Sequence, residues 1–210
     1  MPNWCYNFAT FTCPSKDIYD KLLLSLQENK WFETFASLGL DEETYENGWE
    51  YCAAIKTWGT KWTPSDIEIV NTDEDKLTIE ISCYTAWSPP TEVYNKMNKE
   101  FNIVTDGIYE ESGSEFFGRC FYENGEEVND TYDFPSNLEE LNELRKIIGS
   151  DLDDFMTSTW EQLQEHWENE EEDEEDENDS DSDSDDNEDE DEGDVEIVEF
   201  ESEDDYSYDD

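Results

Sequence analysis

Apolar and polar residues alternate in short segments along the first two thirds of the chain, and this pattern predicts β-strands interleaved with helices. Residues 3–13 are rich in aromatic side chains and end at Pro14, as expected of a first strand. Residues 16–28 instead repeat apolar side chains at helical spacing, which predicts an amphipathic helix. We interpret residues 29–48 as an insertion that packs on the core and contains a second, short helix.

The next part of the chain predicts a strand, a hairpin and a helix. Residues 49–57 are interpreted as a strand that runs into Trp58-Gly-Thr-Lys-Trp62. Residues 66–70 and 76–81 alternate apolar and polar side chains on either side of a polar turn, which is typical of a hairpin with one buried face. Ser88 then occupies the position of a helix N-cap, and the apolar residues after it follow helical spacing.

Residues 102–133 consist of short apolar runs separated by glycines, with Asn124-Gly125 marking a tight turn, and they predict further strands. A capping-box pattern, Ser136 with Glu139, then opens a helix, and Ser150 opens another.

This order of elements favours an α+β fold of the ferredoxin-like type, an antiparallel sheet with helices on one face. We expect that domain to span residues 1–134, with the insertion at 29–48. A C-terminal helical pair over residues 135–167 is expected to pack on it, and an acidic tail follows over residues 168–210.

Charge separates the tail from the rest of the chain. Of the 62 acidic residues, 28 lie in residues 168–210, where there is no Lys or Arg. Low hydrophobicity and mutual repulsion predict that this tail is disordered. Residues 1–167 hold all 11 basic residues and still carry an excess of acidic ones. The charge therefore favours basic proteins as partners and disfavours nucleic acid and anionic membranes.

Two features of the tail are candidates for modification or recognition. Ser180, Ser182 and Ser184 stand among aspartates, a pattern that acid-directed kinases favour, and they are candidate phosphorylation sites. The apolar residues Val195, Ile197 and Val198 interrupt the acidic run and resemble a SUMO-interacting motif, which binds as an added strand. The simpler interpretation of the second feature is a chance apolar patch in a solvated segment.

The cysteines show no metal-binding or disulfide pattern, because no C-x-x-C spacing occurs among Cys5, Cys13, Cys52, Cys83 and Cys120. We therefore expect no metal and no cofactor. The N-terminus lacks the pattern of a signal peptide, and no segment reaches the length of an apolar spanning helix. The sequence predicts a soluble, intracellular protein of the cytoplasm, or of the nucleus if its source is eukaryotic or viral.

Four short motifs carry a resemblance to a known family. They are Met1-Pro-Asn-Trp-Cys5, Trp58-Gly-Thr-Lys-Trp62, Thr85-Ala-Trp87-Ser-Pro-Pro90, and Tyr109-Glu-Glu-Ser-Gly113 followed by Phe116-Phe117-Gly118. In this order they resemble the YubB/Api-like ferredoxin-like proteins encoded by phages, plasmids and bacteria. The resemblance implies a ferredoxin-like topology, with no established activity and no iron–sulfur centre. The acidic tail lies outside it and is more typical of a eukaryotic or viral protein.

The two tryptophan-rich motifs form a candidate binding site. If they meet at one edge of the sheet, their indole rings could wall a groove for a sugar, a base or a peptide. The candidate residues are Trp58, Thr60, Lys61, Trp62, Thr85, Trp87 and Ser88. In the competing interpretation the tryptophans are core residues and the hydroxyl residues belong to turns and caps, which is the commoner case for buried aromatics.

The sequence contains no catalytic motif. The single histidine, His166, has no Ser or Cys partner in a known arrangement, and no phosphate-binding loop or zinc-protease motif occurs. RNA-binding domains of the same topology stack bases on the aromatic residues of their sheet. Such a platform would here consist of Trp4, Tyr6, Phe8, Phe116 and Phe121. The lack of a basic groove argues against it.

These observations favour a non-enzymatic interaction protein that acts through its acidic tail and its tryptophan-rich strand ends. The alternative is a domain that binds a small ligand or a nucleic acid at the tryptophan corner. An enzyme of unrecognised type is the third possibility, and the sequence leaves the oligomeric state open.

Overall fold

The computed structural model describes the backbone of residues 3–39 and 51–179, and the side chains of the same ranges up to residue 169. In these ranges the strands are β1 (Trp4–Thr12), β2 (Ser65–Asp73), β3 (Thr78–Ala86), β4 (Val104–Glu111), β5 (Phe116–Glu123) and β6 (Glu126–Asp133). The helices are α1 (Lys16–Gln27), α2 (Trp31–Ala36), α3 (Tyr51–Trp58), α4 (Thr91–Phe101), α5 (Leu138–Leu144), α6 (Ser150–Phe155) and α7 (Thr157–Asp179).

The strands form one antiparallel sheet in the order β2-β3-β1-β4-β5-β6. Its first four strands, with α1 to α3 after β1 and α4 after β3, have the split βαβ arrangement of a ferredoxin-like fold. The remaining two strands extend the sheet beyond β4. The predicted α+β ferredoxin-like fold is therefore confirmed, including the β2–β3 hairpin.

The helices of the ferredoxin-like domain cover one face of the sheet, as predicted, and the extra C-terminal helices pack on the other face. On the first face the inward residues of β1, such as Cys5, Ala9 and Phe11, form a core with α1 to α4. Phe116 of β5 packs on this first core. Because side chains alternate along a strand, the next residue, Phe117, points to the opposite face. There it forms a second core with the buried residues Leu141, Leu152, Met156 and Trp160.

The prediction of a strand at residues 49–57 is wrong, since Tyr51–Trp58 forms α3. Its central run of Cys, Ala, Ala and Ile has no alternation, and a short apolar run of this kind does not distinguish a strand from a helix. Alanine and lysine favour the helix. The helix buries Ala54 and Trp58, which are four residues apart and so lie on one face.

Helix starts and the tail boundary also differ from the sequence interpretation. Ser88 does not cap α4, which begins at Thr91. Asn137, rather than Ser136, caps α5 by accepting a hydrogen bond from the amide of Glu140 at 2.9 Å. The predicted C-terminal pair consists of three helices, and α7 continues to Asp179 because glutamate is a good helix former. The rest of the predicted disordered tail lies outside the described residues, as do residues 40–48 of the predicted insertion.

The two edge strands have features that disfavour pairing with another sheet. The β2 strand shifts register against β3 between Ser65 and Glu68 and again between Ile69 and Asn71. At the other edge, β6 is largely exposed and acidic. Bulges and charges of this kind are how natural sheets protect their edges. Among the described residues, no helix is both long enough and apolar enough to cross a membrane.

Four of the five cysteines are buried core residues, as predicted for most of them, whereas Cys52 on α3 is exposed. Burial raises the pKa of Cys13, Cys83 and Cys120 to about 12. Burial also raises the pKa of Cys5 well above its usual value. These four thiols are therefore held protonated and away from reagents.

We expect one thiol per folded chain to react with a disulfide reagent at about pH 8, because only Cys52 is accessible. The measurement is absorbance of the released thiolate, with the urea-unfolded chain as the reference for all five cysteines. Cys52→Ser should abolish the native reaction. More than one reactive thiol in the folded chain would contradict the burial of the other four.

Gly118 on β5 is required by the ring that covers it. The Tyr109 side chain on β4 lies over Gly118, its strand-pairing partner, and its hydroxyl is 2.6 Å from Thr131 Oγ1 on β6. A Cβ at Gly118 would lie 2.5 Å from Tyr109 Oη and still closer to the carbonyl oxygen of Asp130. Burial raises the pKa of Tyr109 to about 12, so the hydroxyl stays protonated.

Gly118→Ala should lower the free energy of unfolding by about 3 kcal/mol, since the added methyl group has no space. Thr131→Val removes only the hydroxyl that bonds Tyr109 and should cost about 1 kcal/mol. Urea denaturation of both variants tests the difference. Equal stabilities for Gly118→Ala and the unaltered chain would show that the ring does not press on this position.

Candidate functional site

The structure brings the two tryptophan-rich motifs together but buries about half of the predicted site. Trp58 is 2% exposed, and its indole Nε1 donates to the Ala36 carbonyl at 2.7 Å. Thr60 is fully buried and bridges the main chain of Ala86, donating to its carbonyl at 2.8 Å and accepting from its amide at 3.1 Å. The Trp58 contact joins the end of α3 to the end of α2, and the Thr60 contacts join the segment after α3 to the end of β3.

Thr85 and Ser88 complete this internal junction. The Thr85 hydroxyl accepts from Asn7 Nδ2 of β1 at 2.9 Å and donates to the Ser88 carbonyl at 2.7 Å. The Ser88 hydroxyl donates to the Gly59 carbonyl at 2.6 Å. Trp58, Thr60, Thr85 and Ser88 therefore make internal contacts that hold the corner together.

Lys61, Trp62 and Trp87 form the accessible part of the corner. The Lys61 Nζ atom lies 4.3 Å from the ring centroid of Trp87 and 4.8 Å from that of Trp62, within cation–π range. Trp4 joins the cluster, with its ring centroid 6.2 Å from that of Trp62. Trp87 has a φ of 69°, a left-handed conformation that costs a bulky residue about 1–3 kcal/mol.

A groove lies on the second face of the sheet, beside this corner. It has a volume of about 510 Å³ and lies between the outward side chains of β1 and β3 and the α6–α7 segment. Its sheet side is mainly aromatic, and its helix side consists of a phenylalanine, two hydroxyl-bearing residues and a glutamine. The lining residues are Trp4, Tyr6, Phe8, Tyr84, Glu110, Ser112, Phe155, Ser158, Thr159 and Gln162.

One row of paired strand residues forms the floor of this groove. Tyr6 on β1 pairs with Tyr84 on β3 and with Glu110 on β4. The Tyr6 ring stacks nearly parallel on Phe155 of α6, with centroids 5.8 Å apart, and lies 5.2 Å from the Tyr84 ring. The α6 helix therefore fixes one face of Tyr6, while Tyr84 remains 39% exposed.

Glu110 is the one charged residue in the lining of the groove. Its Oε1 atom accepts from the Thr159 hydroxyl at 2.8 Å and from the Ser112 hydroxyl at 3.0 Å. Thr159 belongs to α7, so the carboxylate also connects the sheet to the helix above it. The described part of the chain directs none of its hydrogen bonds to Oε2.

The sequence predicted only part of this groove. Trp4, Tyr6 and Phe8 of the proposed aromatic platform line it, but Phe116 packs on Tyr109 in the first core. Tyr84 was missed although Cys83 and Thr85 beside it point to the first core, so alternation places it on the face of Tyr6. Phe155 was missed because nothing in the sequence indicates which face its helix covers.

The remaining sequence candidates contribute no further site in the described residues. His166 is an exposed residue of α7. Within the described side chains, no three His, Cys, Asp or Glu residues are arranged to hold a metal ion. The candidate phosphorylation sites and the SUMO-interacting-like motif lie outside the described residues.

We expect acrylamide quenching to resolve two classes of tryptophan, because Trp58 is buried whereas Trp4 and Trp87 are 42% and 40% exposed. Trp87→Phe should lower the quenchable fraction of the fluorescence, and Trp58→Phe should raise it. Uniform shielding of all indoles would exclude an accessible tryptophan surface at this corner.

A match to a protein-family model agrees with this fold. The family model described as "Ferredoxin-like domain in Api92-like protein" matches residues 57–151. A crystal structure of a protein api92 from Yersinia pseudotuberculosis is similar with a TM-score of 0.43 and 9% identity, covering 65% of this chain and 99% of that one. A search of curated proteins found no match. The family match agrees with the resemblance seen in the sequence, since residues 57–151 are similar to the ferredoxin-like domain of Api92-like proteins.

Proposed function

We propose that this chain is a non-enzymatic interaction protein that binds a basic partner polypeptide in the aromatic groove. The observation that carries the proposal is the groove itself, in which aromatic rings surround a concave surface and the one charged lining residue is a carboxylate. The description of the matched family names a fold and no activity, which is compatible with a binding role.

The aromatic side chains are suited to anchor a partner. Tyrosine and tryptophan provide large contact areas and lose few rotamers on binding, which is why they are enriched among the residues that dominate interface energies. Trp4 and Tyr84 retain about 40% of their surface in the described structure, so both rings can be covered by a ligand. Phe155 and Tyr6 stack on each other and give the groove a rigid wall.

Charge favours a basic partner over an acidic one. The chain has a formal net charge of −51, and no Lys or Arg lines the groove. A field of this sign increases the rate at which positively charged partners arrive and repels anionic ones. The acidic tail adds to this attraction, because it carries many Asp and Glu residues and no Lys or Arg.

A second candidate function is supported by the Lys61, Trp62 and Trp87 cluster. Two indole rings with an ammonium group between them offer a stacking surface to a flat small ligand such as a sugar or a nucleobase. In this alternative the small ligand binds at the corner formed by Lys61, Trp62 and Trp87, next to the groove rather than in it. The acidic charge of the chain opposes long nucleic acids at either place.

The proposal is tested with a fluorescein-labelled peptide that repeats Arg-Gly-Ser four times, titrated with the full chain in about 150 mM salt. Replacing Trp4 and Tyr84 together by serine should weaken binding by at least about fivefold, because two exposed ring surfaces are lost. Fluorescence anisotropy measures the affinity, and circular dichroism verifies the fold of the variant.

Leu24→Ser is the matched control, since Leu24 is 56% exposed on α1, in the helix layer that covers the first face. Its affinity should equal that of the unaltered chain. If the Trp4/Tyr84 variant also binds with unaltered affinity, the peptide is held by diffuse charge and the groove is not the binding site.

A further inference from the structure

We infer that Glu110 makes the groove selective for an arginine side chain of the partner. This inference rests on the proposed function, because it specifies which group of a basic polypeptide enters the groove. It follows from the position of the carboxylate, from its hydrogen bonds and from the rings beside it.

Glu110 lies at the end of a row of rings. Strand pairing places it directly beside Tyr6, and Tyr84 lies on the other side of Tyr6. A side chain that enters along this row therefore passes over aromatic surface before its terminal group reaches the carboxylate. Thr159 and Ser112 restrict the orientation of that carboxylate by donating to the same oxygen, Oε1.

Arginine matches this arrangement better than other side chains. Its guanidinium is planar, so it stacks on aromatic rings while its N–H groups donate to a carboxylate in the same plane. Glu110 Oε2, which receives no hydrogen bond from the described part of the chain, is the available acceptor. Hydrogen bonds between two charged groups are also stronger than neutral ones, most of all where water is partly excluded. A phosphate or an acidic side chain would instead be repelled by Glu110.

The test compares two probes, the Arg-Gly-Ser repeat peptide and the same peptide with citrulline in place of arginine. Citrulline has nearly the same shape as arginine but no charge. The unaltered chain should bind the arginine probe about tenfold more tightly than the citrulline probe. In Glu110→Gln the difference should shrink to about twofold, because the affinity for the arginine probe falls much more than the affinity for the citrulline probe.

Glu126→Gln is the matched control for the loss of one negative charge. Glu126 is exposed on the edge strand β6 and does not line the groove, so this variant should keep the tenfold preference. Thr159→Val removes one hydrogen bond that positions the carboxylate and should reduce the preference for the arginine probe over the citrulline probe.

The outcomes separate this inference from the proposed function. If the Trp4/Tyr84 variant weakens both probes but Glu110→Gln keeps the full preference for arginine, the groove binds peptides and Glu110 does not select them. If the Trp4/Tyr84 variant weakens neither probe, the proposed function itself fails. A preference lost equally in Glu110→Gln and Glu126→Gln would assign it to net charge and overturn the inference.

Discussion

The structure depends on the central position of β1 in the sheet. This strand pairs with β3 on one side and β4 on the other, so it connects the two halves of the ferredoxin-like arrangement. Its side chains serve both faces, with Cys5, Ala9 and Phe11 in the first core and aromatic residues in the groove. Within the strand, the buried Asn7 amide bonds Thr85 of β3, which in turn holds the tryptophan corner. The family match begins at residue 57, so β1 lies outside it although it pairs with β3 and β4 inside it.

The groove exists because the C-terminal helices cover only part of the second face. Trp160 packs edge-on against Phe117 of β5, with ring centroids 5.2 Å apart, and this contact places α7 over the extended part of the sheet. Among the aromatic residues of β1 and β3, Tyr6 is contacted by Phe155, while Trp4 and Tyr84 remain about 40% exposed. The extension of the sheet by β5 and β6 is therefore what provides a docking surface for the helices while leaving the central strands accessible.

Local patterns in the sequence predicted the elements, and long-range packing decided the rest. The β2–β3 hairpin was predictable because alternation over both arms leaves one register that buries the isoleucines. The prediction of a strand at residues 49–57 was wrong because an apolar run without alternation has no period that distinguishes a strand from a helix. For the site, the sequence located the corner but not its division into buried and accessible residues. Trp58 and Trp87 have the same side chain in similar motifs, and only the path of α3 buries one and leaves the other exposed.

The edges of the sheet determine what kind of partner the open face can accept. A partner that adds a strand needs a straight edge with unpaired amide and carbonyl groups. Here β2 is irregular in register, and β6 combines Glu126, Glu127, Asp130 and Asp133 in one short strand. Main-chain recognition is therefore discouraged at both ends of the sheet. What remains available is side-chain chemistry, so a partner has to be recognised by the residues that it carries rather than by its ability to extend the sheet.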